Sequence, residues 1–244
     1  MTGTCLVVTG TGTGVGKTIV TAAIAALARD RGESVAVVKP AQSGVERDEV
    51  GDLDTISRLS AVGDIHELVR YPDALAPAAA ARLSGIAPPS RASVADYIAD
   101  LATEHDLVLI EGAGGLLVEF DDDGTTIADI AHDTGAQVVV VADPELGTLN
   151  HTALTIEALR RRGFEAKGVV LGRWPAEPDL ACRSNLGDLA VQLGAPISGA
   201  IEDDAAKLQT DEFLAAARAG LAPHLGGHFD GADFTQRFNP RRNV

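Results

Sequence analysis

The sequence predicts an α/β protein, a mostly parallel β-sheet with helices on both faces. Three observations lead there. Short aliphatic runs alternate with stretches of helical spacing along the whole chain. Aromatic residues are only 4% of the composition, so the core must be built from Val, Leu, Ile and Ala, as in parallel strands covered by helices. The length, 244 residues, suits one growing core better than two small ones.

Residues 5–9 (CLVVT) read as a buried strand, and residues 16–31 as a helix with Ile19, Ala22, Ala23, Ala26 and Leu27 on one face. Residues 34–39 (SVAVVK) form a second strand. Helical spacing recurs at 52–61 and 93–104, separated by an Ala- and Pro-rich stretch, 71–89, expected to be irregular. Residues 107–111 (LVLIE) and 137–142 (QVVVVA) are two more buried strands. Residues 149–162 are a helix whose basic last turn suits its dipole. Weaker strands at 168–171 and 196–201 precede a closing helix at 211–219. Residues 1–225 are expected to be one domain, and the Gly-, Arg- and Asn-rich residues 226–244 a loosely held tail. His224 and His228 lie four apart, but the intervening Gly226 and Gly227 argue against a helical metal pair.

The net charge of −15 argues against nucleic-acid or anionic-membrane binding. No apolar run approaches the roughly 20 residues of a membrane span. Cys5 and Cys182 give no disulfide framework, and the chain opens without a charged leader; a cytoplasmic location is expected. None of this excludes a nucleotide, which needs only a local cluster of N–H groups, a lysine and a metal.

Such a cluster is supplied by residues 9–18 (TGTGTGVGKT), between the first strand and the first helix. Glycines let N–H groups curl around phosphate oxygens, and the following helix aims its positive end at the same place. Gly12, Thr13, Gly14, Val15 and Gly16 would form the cradle, Lys17 would sit between the β- and γ-phosphates, and Thr18 would ligate Mg²⁺. The loop departs from the strict P-loop pattern, with Thr11 where a glycine is usual and Gly10 one position earlier. Glu111 ends a buried strand, where a carboxylate points into the ligand crevice. Asp52 is a second candidate metal carboxylate, or alternatively a helix cap, and Asp54 competes for the same job. Lys39 ends the second strand, expected to lie close to the first and so beside the loop.

Four segments, in this order, resemble the dethiobiotin synthetase family: residues 9–18, 39–44 (KPAQSG), 111–117 (EGAGGLL) and 146–151 (LGTLNH). The resemblance spans about residues 3–200. It implies ATP-dependent closure of a ureido ring on 7,8-diaminononanoate with CO₂, through a carbamate and a carbamic–phosphoric anhydride, to give dethiobiotin, ADP and phosphate. By the same resemblance Lys17 and Lys39 would be catalytic, and Thr18, Asp52 and Glu111 would hold Mg²⁺. Thr13, Lys39, Ser43, Ala113 and Gly114 would line the substrate. Leu146, Gly147, Leu149 and Asn150 would reach across a homodimer to the substrate's carboxylate. Family members often place Asn after the fifth strand, to read adenine. Here the stretch is Gly172-Arg173-Trp174-Pro175, so Gly172, Trp174 and Pro175 would border the base, and discrimination among nucleoside triphosphates is expected to be weak. Partitioning-type switch ATPases share the fold but usually carry an extra lysine early in the loop, and residues 10–15 contain none.

Overall fold

A computed structural model describes residues 3–238. Seven strands form one sheet: β1 (Thr4–Gly10), β2 (Val35–Lys39), β4 (Ile65–Glu67), β6 (Leu107–Glu111), β7 (Gln137–Ala142), β8 (Ala166–Trp174) and β9 (Gly199–Glu202). Their order across the sheet is β4-β2-β6-β1-β7-β8-β9, and every pairing is parallel. A separate two-stranded parallel ribbon joins β3 (Gln42–Ser43) to β5 (Arg70–Tyr71).

Alternation along the strands divides the core in two. Val7, Val108, Ile110, Val138 and Val140 face one side; Leu6, Val8, Leu109, Val139 and Val141 face the other. The first layer is closed by α4 (Arg91–Glu104), α5 (Ile127–Thr134), α6 (Thr148–Arg161) and α7 (Leu180–Leu193). The second is closed by α1 (Lys17–Asp30), α2 (Asp52–Ser60) and α8 (Thr210–Gly220). Each fully buried aliphatic side chain in these layers contributes about 1.5–3 kcal/mol of transfer free energy. This aliphatic sandwich of helices and sheet matches the expected class.

Three sequence expectations are corrected. β2 is not beside β1, because β6 inserts between them. Lys39 therefore reaches the loop through the end of β6. Within the stretch read as irregular, residues 77–84 form α3 (Pro77–Ser84), which starts on a proline and stops at Gly85 with a left-handed φ of 72°. The third concerns the C-terminal segment: Thr210–Gly220 does not close the chain, since α9 (Gly231–Phe238) follows it. The Phe234 and Phe238 rings of α9 stand edge-on to Trp174 with centroids 5.1 Å away in both cases, and Phe229 meets Phe234 at 5.0 Å. The expected loose tail is thus packed through residue 238; residues 239–244 lie outside the described residues.

Trp174 is the single tryptophan, so its emission reports this packing. Phe234→Ala should lower unfolding stability by about 1–3 kcal/mol and shift the emission to the red. Denaturant titration followed by fluorescence checks both; an unchanged spectrum would mean that α9 is not seated on Trp174 in solution.

Candidate active site

In a parallel sheet all C-terminal strand ends fall on one edge, and β2, β6 and β1 are neighbours, so Lys39, Glu111 and the loop after Gly10 converge. Two left-handed glycines, Gly14 (φ 76°) and Gly16 (φ 95°), shape the loop, and Gly16 caps α1. A Cβ on Gly16 would lie 2.4 Å from the carbonyl oxygen of Gly172, and one on Gly172 would lie 2.2 Å from that of Val15. The loop therefore rests main chain against main chain on the end of β8. Lys17 is buried and donates to the Gly12 carbonyl at 2.9 Å, a fold-back that leaves its charge inside the cradle. Burial pushes the Lys17 ammonium below the ordinary lysine range; Glu111 offsets part of this and the like charge of Lys39 adds to it.

Beside the loop lies a buried ionic network. The Lys39 ammonium sits 2.7 Å from Glu111 Oε1 and 2.5 Å from Asp52 Oδ2. Thr18 donates its hydroxyl to the same Glu111 oxygen at 3.0 Å. Glu111 is wholly buried, and its other oxygen, Oε2, has no partner. Burial alone would lower the Lys39 pKa, but the two carboxylates outweigh it and hold the group above the usual lysine value. Burial likewise opposes the charged form of Asp52, and Lys39 outweighs it, so Asp52 stays below the usual carboxylate range. The raised Lys39 stabilises the fold up to the ordinary lysine range and is lost as pH climbs through its folded value. The depressed Asp52 stabilises above the ordinary carboxylate range and is lost as pH falls through its folded value.

Asp52 and Asp54, both in the first turn of α2, make different contacts. Asp54 accepts from the Gly51 N–H at 2.7 Å as the acid of a capping box, which leaves the Asp52 side chain to Lys39. Gln42 was not singled out from the sequence; its buried side-chain oxygen accepts from the Asp52 N–H at 3.1 Å and fixes the start of α2. Arg70 pins the preceding loop, donating to the carbonyls of Glu46 and Glu49 at 3.0 and 2.8 Å.

The remaining residues of interest fall in three places. Thr13, Ala113 and Gly114 lie at the mouth of the loop, the Thr13 hydroxyl 3.7 Å from where a Gly114 Cβ would stand. Ser43 ends β3 with its hydroxyl buried and without a partner. Leu146 is 88% exposed, Gly147 caps α6 at φ 102°, and Leu149 and Asn150 begin that helix; no hydrogen bond among the described residues joins this segment to Lys17, Lys39 or Glu111. Trp174 turns away from the loop into the aromatic cluster under α9, leaving Gly172 and the exposed Arg173 nearest the loop.

The donor set fits Mg²⁺. Among the described residues no group of three or more His, Cys, Asp and Glu side chains could hold a metal alone. Mg²⁺ needs no such cage, because it keeps waters and takes phosphate oxygens, using one or two carboxylates and a hydroxyl from the protein. Thr18, Asp52 and Glu111, with Glu111 Oε2 free, supply that set.

The phosphate loop on an all-parallel sheet defines the P-loop NTPase fold, shared with the cell-division ATPase MinD of Pyrococcus furiosus (TM-score 0.53, 21% identity, 97% of this chain and 96% of that one) and a ParA-family ATPase of Chlorobium tepidum (TM-score 0.55, 15% identity, 91% and 95%). Residues 4–207 match the family model AAA_26, described as an AAA domain. Near full-length relatives carry the name ATP-dependent dethiobiotin synthetase BioD: that of Frankia casuarinae is 56% identical over 235 residues (96% of this chain, 99% of the relative), and that of Parafrankia sp. is 54% identical over 233 (96% and 98%). The chain belongs to the ATP-dependent dethiobiotin synthetase family. No helix among the described residues is long and apolar enough to cross a membrane.

Anionic phosphates arriving at Lys17 should restore its charge, so nucleotide binding should take up protons where the free ammonium is partly neutral. Calorimetry at a series of pH values rising into the ordinary lysine range, in two buffers of different ionisation enthalpy, should show a buffer-dependent heat with the sign of proton uptake. A heat independent of buffer, or a Lys17→Met variant with the same dependence, would count against it.

Proposed function

We propose that the protein makes dethiobiotin, carboxylating 7,8-diaminononanoate with CO₂ and closing its ureido ring at the expense of ATP. The observation that carries this reading is the convergence of two buried lysines, Lys17 and Lys39, with Thr18, Asp52 and Glu111 on one edge of the sheet. A nucleotide-binding module has no need of the second lysine. A phosphoryl acceptor that is itself an anion does, since two anions must meet.

One amine of the substrate adds to CO₂ and loses a proton, giving a carbamate. A carbamate oxygen attacks the γ-phosphorus, the bond to the β–γ bridging oxygen breaks, and ADP leaves with that electron pair. The second amine then attacks the carbonyl carbon of the carbamic–phosphoric anhydride, phosphate departs, and the amine gives up a proton as the ring closes. Little covalent catalysis by the protein is required; it must align the carbamate with the γ-phosphate and neutralise growing charge. Lys39, held protonated by its carboxylates, faces both anions, and Lys17 answers the β- and γ-phosphates. Mg²⁺, held by Thr18, Asp52 and Glu111 with phosphate oxygens and water, would screen charge on the same phosphates. Thr13, Ser43, Ala113 and Gly114 line the acceptor side.

A homodimer completes the site in this reading. The 88% exposure of Leu146, first residue of the segment that would cross the interface, supports this reading. Gly147, Leu149 and Asn150 then hold the substrate's carboxylate across the interface.

Phosphate release from MgATP and bicarbonate should depend strictly on 7,8-diaminononanoate, with one dethiobiotin formed per phosphate. Release that ignores the diamine would defeat the assignment. Removing a preorganised cation at a transferring phosphoryl group typically costs about 3–4 kcal/mol, so Lys17→Ala and Lys39→Ala should each lower kcat by roughly 10²–10³-fold. A near-normal rate for Lys39→Ala would remove its role.

A further inference from the structure

The structure assigns a nucleotide contact to Arg173, which the motifs above leave unused: we propose that Arg173, braced by Asp203, takes the nucleobase against its guanidinium plane. This rests on the nucleotide site described above and names the residue behind the weak base discrimination expected there.

Four observations carry it. The β8–β9 pairing is irregular between Leu171 and Trp174, the kind of bulge that re-aims a side chain near an active site. Leu171 and Trp174 consequently face the same core layer, and Arg173 points out between them, exposed. Its Nη1 donates to the carbonyl of Gly14 at 3.1 Å and its Nε to Asp203 at 2.7 Å, so the guanidinium spans from the phosphate loop to the segment after β9. About half of each side chain of this pair is open to solvent, 49% and 46%.

The neighbours leave it no competitor. Gly172 can carry no side chain, because the Val15 carbonyl fills the space. The Trp174 indole is covered by Phe234 and Phe238, and Pro175 has no donor. In the facing segment Asp204 is paired with Lys207. No amide side chain is present in residues 172–176 or 199–207 to read a base edge. A guanidinium pinned at two corners is a preformed plane, and stacking on such a plane accepts every base because each has a π-face.

Calorimetric titration of the full chain with MgATP, MgCTP and magnesium tripolyphosphate tests this. Arg173→Gln should weaken ATP and CTP alike, about tenfold, and leave tripolyphosphate unchanged. Arg173→Lys, which keeps the charge and loses the plane, should be as weak as Arg173→Gln. Asp203→Asn, which frees the guanidinium without touching the loop, gives a second reading if Arg173→Gln does not fold; it should weaken both nucleotides by a few-fold and spare tripolyphosphate. Unchanged nucleotide affinity would overturn the proposal. So would a parallel loss of tripolyphosphate, the mark of a loop tether; a loss confined to ATP, the mark of edge reading; or rescue by Lys, the mark of a charge contact. Absence of diamine-dependent phosphate release, with these affinities intact, would instead defeat the ligase reading alone.

Discussion

A lysine with 4% of its side chain exposed, held between two carboxylates, is the interaction on which this site depends. Desolvating Lys39 and Glu111 costs several kcal/mol per ion, and their attraction repays it only with close geometry and further hydrogen bonds. Thr18 supplies one of those bonds and Asp52 the other ion pair. The arrangement ties together β2, β6, α1 and α2. It is an expensive way to stabilise a fold, since an aliphatic cluster of equal volume would serve as well. Its retention on the edge where ligands bind is what one expects of charges kept for chemistry. The unpartnered Glu111 oxygen, the partnerless Ser43 hydroxyl and the fold-back of Lys17 onto Gly12 are all polar groups that phosphate, metal or water could satisfy.

Much of this was legible in the sequence, for identifiable reasons. Strands buried on both faces read as unbroken aliphatic runs, so β1, β2, β6 and β7 stood out, and the glycine pattern of the loop gave its place between strand and helix. The order of strands did not follow from the runs, because nothing in residues 35–39 says that β6 will slide between β2 and β1. Helix α7 escaped because its apolar residues are spread around the helix, with Gly187 in the middle. α9 escaped because it is seated by two phenylalanines, Phe234 and Phe238, meeting a tryptophan far away in sequence, which no local period records.

At the site, the carboxylates show the same division. The place of Glu111 at the end of β6 could be read from its strand alone. Asp52 and Asp54 could not be separated by spacing, since both sit in the first turn of one helix. What separates them is the hydrogen bonding at the helix start, where the Gly51 N–H donates to Asp54 and the Asp52 side chain meets Lys39. Nothing in the sequence distinguishes Arg173, because an exposed arginine at a strand end is unremarkable until a bulge and a neighbouring carbonyl give it a fixed place.

The contact between Gly16 and Gly172 bears on how the chain reaches this form during synthesis. β8 is not the neighbour of β1, for β7 lies between them, yet its end presses on the loop that follows β1. The outer wall of the phosphate cradle is thus made by a strand from the later half of the chain. A nascent chain can pair β1 with β6 and β7 and already possess every glycine of the loop, but the loop stays unsupported on that side until residue 172 has emerged from the ribosome and docked. Nucleotide can then stabilise the finished fold without guiding its early steps.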